Sequence, residues 1–339
     1  MKTDHSLSVG SSTPNKRIKA SRGKLIVSFD CEGKWGIADR PQHRLDEITG
    51  PRLRNAYSQI LGVLKRYEVK ATFGIVAALC LDRNMLKDRL HATAPLLFCG
   101  QDWLGPVRQS AQTGNYDGWS HPELAGMIME AGGHELCSHG GFHLPYDPAR
   151  TPETAIDADV AVVLDVQEQL HAQFCNFIYP RNVIGYQDKL VKAGFKGYRD
   201  IDPREMIGGA MGKLQRVAHE YMSGDLDDMQ SICGTDPDIG LVPLSSGKFF
   251  NARIGIRKLV PNAMTVHRIG KFIEHAAHNN LIAHFYSHPH NFISDPAMLH
   301  KLNLIMGIAS TYRDKGLIDV ITMKDEFHER CAIPSSHSN

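Results

Sequence analysis

The chain has 339 residues, which is enough to bury one large hydrophobic core or two smaller ones. Its 38 basic and 37 acidic residues give a formal net charge of +1. This balance argues against a general binder of nucleic acid or membrane surfaces, because both need a concentrated basic face. Seven scattered cysteines without a Cys-x-x-Cys pair argue against a disulfide framework and against a zinc-thiolate finger.

Residues 1–22 are polar and contain most of the basic cluster NKRIKASRGK, and we predict that they form a disordered arm. The first residues do not resemble a signal peptide, and no apolar stretch approaches the ~20 residues needed to span a bilayer. We therefore expect a soluble, cytoplasmic protein with no stable membrane insertion and no nucleic-acid partner. The sequence leaves open whether the chain forms a homo-oligomer.

From residue 23 onwards, strand-like apolar runs alternate with helical patterns. In chain order, the predicted strands are KLIVSF, VKATFGIVAAL, HELCS, CNFIYP, FKGYR, LIAHFYS and LIDVITM. Helical patterns separate them, among them PRLRNAYSQILGVLKRYE and a late helix for which Ser294 is a plausible N-cap. Repeated βα units favour one parallel-strand architecture, either an open sheet or a barrel. Residues 82–120 and 200–260 interrupt the pattern and are predicted to be long loops that act as lids or walls.

The segment GGHELCSHGGFH contains two histidines, His139 and His143, directly after a predicted strand. If a helical turn begins there, the i and i+4 positions bring both imidazoles onto one face, where they could bind one metal ion. The alternative is a pair of ordinary surface or core histidines. His134 does not complete an HExxH motif, because the second histidine comes one residue too late, and we expect it to be structural.

The stretch FDCEGKWG follows an apolar run and places two carboxylates, Asp30 and Glu32, at a strand end. Residues two apart in a strand point to the same side, so both carboxylates can face one cavity while Cys31 points away. Two carboxylates and two histidines are the ingredients of a hydrolytic metal site, with one carboxylate as a ligand and the other as a general base. The alternative is a pair of solvated acids at a strand end.

Two more strand ends carry candidate groups. FIYPRNVIGY places Arg181 where it could orient a carboxylate and keep it ionised, although an ordinary surface arginine fits equally well. HFYSHPHNF contains His284, His288 and His290, of which His284 lies inside the apolar run and is expected in the core. A histidine at such a strand end can act as a general acid at neutral pH.

Taken together and in this order, SFDCE, VKATFG, SHGGFH, FIYPRN with KAGFKGYR, and FYSHPHN resemble the motifs of the polysaccharide deacetylase family, the NodB-homology metal hydrolases. The resemblance covers residues 23–325 as a single catalytic domain and leaves 326–339 as a C-terminal tail. It implies an α/β fold, a distorted (β/α) barrel with about seven parallel strands, and a divalent metal ion, with zinc favoured, at their C-terminal ends.

The resemblance also implies roles for individual residues. Asp30 falls on the catalytic base, Arg181 on the arginine that orients the base, and His288 on the catalytic acid. His139 and His143 fall on the two metal-binding histidines. The commonest first motif of the family has two adjacent aspartates, but this sequence has Cys31 at the second place and resembles the Asp-x-Glu branch, in which Glu32 is the ligand. The substrate contacts expected around this centre are Trp35, Asn182, His290 and Arg253.

These assignments imply removal of an N-acyl group, with N-acetyl favoured, from an amino sugar or glycan precursor, so the expected partner is a carbohydrate or nucleotide sugar. Two alternatives remain open. The motifs identify neither the acyl group nor the amine, so a small non-sugar amide or formamide is a second candidate substrate. A non-catalytic glycan-binding domain is a third interpretation.

Overall fold

The structure, a computed structural model, describes residues 22–201 and 240–332. Its strands are β1 (Gly23–Cys31), β2 (Thr72–Ile75), β3 (Leu97–Phe98), β4 (Gln101–Asp102), β5 (Glu135–Ser138), β6 (Asn176–Phe177), β7 (Gly197–Arg199), β8 (Val242–Leu244), β9 (Lys248–Phe249), β10 (Ile282–Ser287) and β11 (Ile318–Ile321). Its α-helices are α1 (Gln42–Asp46), α2 (Gly50–Arg66), α3 (Arg83–Ala92), α4 (Gly105–Gln112), α5 (Glu123–Ala131), α6 (Glu153–Gln169), α7 (Gln187–Lys192), α8 (Asn262–Asn279), α9 (Asn291–Ser294), α10 (Ala297–Asp314) and α11 (Met323–Ala332).

Parallel strands form one curled sheet in the order β8-β7-β6-β5-β2-β1-β10-β9, and β11 pairs with the first half of β1. Eight strands lie on the main path, one more than the sequence suggested. Within the described ranges no ladder joins β8 to β9, so the barrel is incompletely closed. The predicted distorted (β/α) barrel is therefore confirmed.

The central strand β1 is almost wholly buried, as expected for a parallel strand that is covered on both faces. Outside the sheet, α2 turns Leu53, Tyr57, Ile60 and Leu64 inward at intervals of three and four residues. The long helix α10 lies against both α2 and α8. One continuous core thus holds the strand ends in fixed positions.

The structure differs from the sequence-based expectations at several local positions. The strand predicted over VKATFGIVAAL covers only Thr72–Ile75, because the chain turns there and the amides of Ala77 and Ala78 donate to the carbonyls of Gly140 and Gly141. Residues 82–120 are not a plain loop, since they contain α3, the β3–β4 hairpin and α4. Much of 200–260 lies outside the described residues, although β8 and β9 belong to its described part.

Two features near the C-terminus differ from the local expectations. Ser294 does not cap the late helix, because it ends α9, and the carboxylate of Asp295 instead accepts a bond from the Ala297 amide at 3.0 Å. Part of the segment predicted as a tail after 325 is helical, because α11 continues to Ala332 and buries Glu326. The predicted arm over 1–22 lies outside the described residues except for Arg22. Among the helices of the described ranges, none is long and apolar enough to cross a membrane.

We predict that two glycine-to-alanine changes have opposite effects on stability. At Gly23 a Cβ atom would lie 2.3 Å from the Ala276 carbonyl oxygen on α8, so Gly23→Ala should lower the free energy of unfolding by about 1–3 kcal/mol. Gly62 lies inside α2 with nothing within 4 Å of its Cβ position, so Gly62→Ala should raise the free energy of unfolding by about 1 kcal/mol. Urea unfolding of both variants measures this, and unchanged stability in Gly23→Ala would contradict the close approach of β1 to α8.

Candidate active site

The functional groups lie at the C-terminal ends of the parallel strands. Asp30 and Glu32 point to the same side of β1 and are 2% and 5% exposed, so both carboxylates are buried at the floor of a cavity of about 580 Å³. Cys31 points the other way into the hydrophobic core, and its thiol donates to the Phe29 carbonyl. Burial raises the pKa of the Cys31 thiol, which therefore stays protonated and is a poor metal ligand.

Asp30 is bound by an arginine that the sequence analysis did not single out. Arg199, the last residue of β7, donates to both carboxylate oxygens of Asp30 at 2.8 and 2.7 Å. Its guanidinium also stacks on the ring of Tyr286, 3.9 Å from the centroid, and donates to Asn182 Oδ1 at 3.2 Å. Burial alone would raise the pKa of Asp30, but the charge and hydrogen bonds of Arg199 outweigh it and lower that pKa.

A buried polar pair lies beneath this ion pair. Ser28 Oγ lies 2.8 Å from His284 Nε2 and accepts from Arg199 at 3.3 Å. His284 Nδ1 lies 2.8 Å from the Ser245 carbonyl, so it donates there. Burial and the charge of Arg199 lower the pKa of His284 to about 3, which keeps it neutral. The core position expected for His284 is confirmed.

Arg181 does not orient Asp30, so that prediction was wrong. Its two terminal nitrogens donate to the carboxylate of Asp39 at 3.1 and 2.8 Å, and its guanidinium lies over the ring of Trp103. The backbone explains the difference, because Arg181 and Asn182 both have positive φ values, 57° and 53°, which carry the Arg181 side chain outward. The signal for the correct arginine was present, since FKGYR is a strand that ends in Arg199 at the same edge as Asp30.

Glu32 meets the two predicted metal-binding histidines. Its Oε1 lies 3.2 Å from His139 Nε2 and 3.0 Å from His143 Nε2, and all three residues are at least nine-tenths buried. The loop between the histidines is not the helical turn that the spacing suggested, because Gly140 and His143 have positive φ values of 79° and 57°. The two imidazoles nevertheless lie together, with ring centroids 4.8 Å apart.

These three residues fit a divalent cation. His139 Nδ1 lies 2.8 Å from the Ile178 carbonyl, so it donates there and leaves Nε2 as an acceptor that faces the Glu32 carboxylate. Two acceptors at 3.2 Å repel each other unless a proton or a metal ion lies between them. His143 also fits an ion, because both its ring nitrogens are buried and neither makes a well-directed hydrogen bond, although Nε2 lies 3.0 Å from Glu32 Oε1. A backbone carbonyl behind one ligand is also the usual arrangement for metal-binding histidine.

Surrounding groups hold the ligands in place. The Asp159 carboxylate, on α6, accepts from the amides of Gly141 and Phe142 at 2.7 Å each and so fixes the loop between the histidines. A Cβ atom at Gly36 would lie 1.7 Å from Glu32 Oε2, so only glycine leaves room for that carboxylate. No sequence motif marks Asp159, which lies in the middle of a long helix.

His288 and His290 also lie beside the two carboxylates. His288 Nε2 is 3.6 Å from Glu32 Oε1 and 3.9 Å from Asp30 Oδ2, and its ring stacks on His290 with centroids 5.0 Å apart. His290 Nδ1 lies 3.7 Å from Glu32 Oε2. Glu32 therefore belongs to two groups with metal-ligand spacing, one with His139 and His143 and one with His288 and His290.

The four expected substrate contacts fall into two classes. Asn182 and His290 line the cavity, and their contact with a substrate stays a prediction. Trp35 does not line it, because its indole is 1% exposed, packs edge-on against Trp119 and donates to the Trp119 carbonyl. Arg253 does not line it either, since it turns back to donate to the Lys258 carbonyl.

Comparison with known proteins identifies the fold. No family model and no curated protein matches the sequence. Among solved structures, a Mycobacterium smegmatis protein named as a polysaccharide deacetylase aligns over 98% of this chain and 99% of its own, at 12% identity and a TM-score of 0.57. Puue allantoinase aligns over 99% of this chain and 100% of its own, at 12% identity and a TM-score of 0.60. A Pseudomonas aeruginosa PAO1 protein, also named as a polysaccharide deacetylase, aligns over 93% of this chain and 92% of its own, at 11% identity and a TM-score of 0.58. The chain thus has the fold that these proteins share.

We predict that Glu32 is the carboxylate ligand and Cys31 is not. Glu32→Gln keeps the side-chain shape but removes its negative charge, so zinc bound by the purified variant should fall far below that of the wild type. Cys31→Ser should retain wild-type zinc content, because the thiol faces the core. Metal analysis after dialysis against zinc measures both, and loss of zinc only from Cys31→Ser would overturn this assignment.

We predict that Arg199 carries the ion pair on which the buried Asp30 depends. Arg199→Met leaves an uncompensated buried carboxylate and should lower the free energy of unfolding by about 3–5 kcal/mol. The control is Arg54→Met, which breaks an exposed pair with Glu123 and should cost less than about 1 kcal/mol. Urea unfolding compares them, and an equal loss in the two variants would show that the Asp30–Arg199 pair contributes no more than a surface contact.

Proposed function

We propose that this protein is a metal-dependent hydrolase that removes an N-acyl group, most simply N-acetyl, from an amino sugar or glycan precursor. The observation that carries the proposal is the placement of Asp30, already paired with Arg199, beside a Glu32–His139–His143 group that fits a divalent cation. The fold shared with proteins named as polysaccharide deacetylases supports the same reaction class.

A divalent ion in this site would lower the pKa of a water molecule and polarise the acyl oxygen of the substrate. Zinc suits one carboxylate and two imidazoles, and other divalent ions also accept this set. Each histidine offers a buried Nε2 to the ion, and Glu32 offers Oε1.

Asp30 acts as the general base. Its carboxylate stays ionised because Arg199 lowers its pKa, so it can accept the proton of the attacking water. Arg199 is always charged and holds both carboxylate oxygens, which fixes the direction in which Asp30 faces the cavity.

His288 acts as the general acid. Its ring contacts the rings of Phe249 and His290, with centroids 4.9 and 5.0 Å away, and these contacts restrict its orientation. The His288 side chain is still 21% exposed. Donation of a proton from His288 to the departing nitrogen is required because an amide nitrogen leaves poorly as an anion. His288 Nε2 lies 3.9 Å from Asp30 Oδ2, and both residues line the cavity.

A second candidate substrate is a small non-sugar amide. The observation that favours it is the fold shared with an allantoinase, which by its name acts on allantoin and not on a polysaccharide. Acetate release from N-acetylated sugars and nucleotide sugars, measured beside hydrolysis of small cyclic and linear amides, distinguishes the two.

We predict that metal binding and turnover separate in two variants. His139→Ala should lose both, because the imidazole is a ligand. Asp30→Asn should keep the metal while turnover falls by about 10²-fold or more, as expected for loss of a general base. The control Asp319→Asn changes an exposed aspartate beside the opposite end of β1 and should affect neither.

The measurements are metal content and acyl-group release on the same preparations. Near-normal rates in Asp30→Asn would show that the base assignment is wrong. Turnover by His139→Ala without bound metal would show that the reaction does not depend on this ion.

A further inference from the structure

The active-site cavity has a rim that differs from its floor in charge. Asp30, Glu32 and the two ligand histidines are buried at the floor. Three partly exposed arginines, Arg40, Arg44 and Arg181, line the same cavity, and we call them the arginine rim. They come from two separate segments, the turn and helix after β1 and the turn after β6.

Arg181 is held in place before any substrate binds. Its backbone and that of Asn182 occupy the left-handed region, which is uncommon for residues other than glycine and persists where the surroundings enforce it. Its guanidinium is fixed between the Trp103 ring, 5.2 Å away, and the Asp39 carboxylate, and its side chain remains 30% exposed. Such a fixed donor loses little rotational freedom when it binds a ligand.

The rim has an excess of positive charge. Its three guanidinium groups face two carboxylates, Asp39 and Glu47, which leaves one positive charge over. The three arginines differ in how closely they approach these acids. Arg40 lies 3.9 Å from Asp39 and Arg44 lies 3.7 Å from Glu47, both beyond hydrogen-bond distance. On the floor, Asp30 is already neutralised by Arg199, and a divalent ion held by Glu32 would outweigh that carboxylate, so in the metal-loaded protein the floor does not offset the rim.

Given the proposed hydrolase function, on which this step rests, we infer that the substrate carries an anionic group, a carboxylate or a phosphate, that Arg44 and Arg181 bind at the rim. A guanidinium donates charge-assisted hydrogen bonds to either group, and these are stronger than its bonds to a neutral hydroxyl. The acyl amide of the same molecule then extends to the floor. A sugar acid and a sugar phosphate, including a nucleotide sugar, both present this chemistry.

Binding of sugars that contain no amide tests the inference without turnover. Glucose, glucuronate and glucose 6-phosphate are titrated into the metal-loaded protein in a calorimeter. We expect at least one of the anions to bind ten times more tightly than glucose or better, and the stronger of the two identifies carboxylate or phosphate as the preferred group. Its affinity should fall with added salt, as charge pairing at a partly exposed site requires.

Variants distinguish the rim from the metal as the site of the anion. Arg181→Met and Arg44→Met should each weaken anion binding about tenfold, the loss expected for one charge-assisted contact, and leave glucose binding unchanged. Two variants are used because they lie on different segments, so a local folding defect cannot explain both. The control is Arg54→Met, which removes an ion-paired arginine that does not line the cavity.

Two results would overturn the inference. The first is equal affinity for glucose and both anions, and the second is anion binding that neither rim variant weakens, which would place the anion on the metal. A different result would show that the proposed function is wrong: anion binding would persist at the rim, but no acyl amide in the panel would be hydrolysed.

Discussion

The buried ion pair between Asp30 and Arg199 is the constraint on which the rest of the site depends. Asp30 lies at the end of β1 and Arg199 at the end of β7, with β2, β5 and β6 between them in the sheet. A flat sheet would hold these two ends far apart, so the pair forms only because the sheet curls. An isolated charge in this interior would be costly, so the curvature and the ion pair stabilise each other. Tyr286 and Ser28, from the strands that close this side, complete the contacts of the guanidinium.

The two carboxylates of β1 differ in role because their neighbours differ. Asp30 faces a cation that is part of the protein and never loses its charge, so its ionised state does not depend on a bound metal. Glu32 faces imidazole nitrogens that carry a positive charge only when protonated, so an ion from solution is the natural partner there. Two residues apart at one strand end, the same chemical group thus suits the proposed base in one environment and the proposed ligand in the other.

Local sequence patterns predicted the parts of this structure that depend on local rules. Strand ends that carry Asp30, Glu32, His139 and His288 could be placed together because parallel strands end at one edge. The choice between Arg181 and Arg199 could not be made in this way, since it depends on a left-handed backbone at Arg181 and on which strand curls back towards β1. Trp35 was misplaced for a related reason, because its burial depends on Trp119, which is 84 residues away in the chain. Asp159 acts through backbone amides, which carry no sequence signal.

The floor and the rim of the cavity are built from different kinds of segment. Similarity of fold to other proteins is therefore informative about the floor and not about the rim. The floor consists of residues at the ends of paired strands, whose positions follow from the fold itself. The arginine rim comes from residues 40–44 and 181, which lie in turns and short helices outside the sheet. A shared fold at 12% identity therefore bears on how the floor is built, but it does not determine the rim. The substrate has to be inferred from the side chains that the rim presents, and here those are arginines.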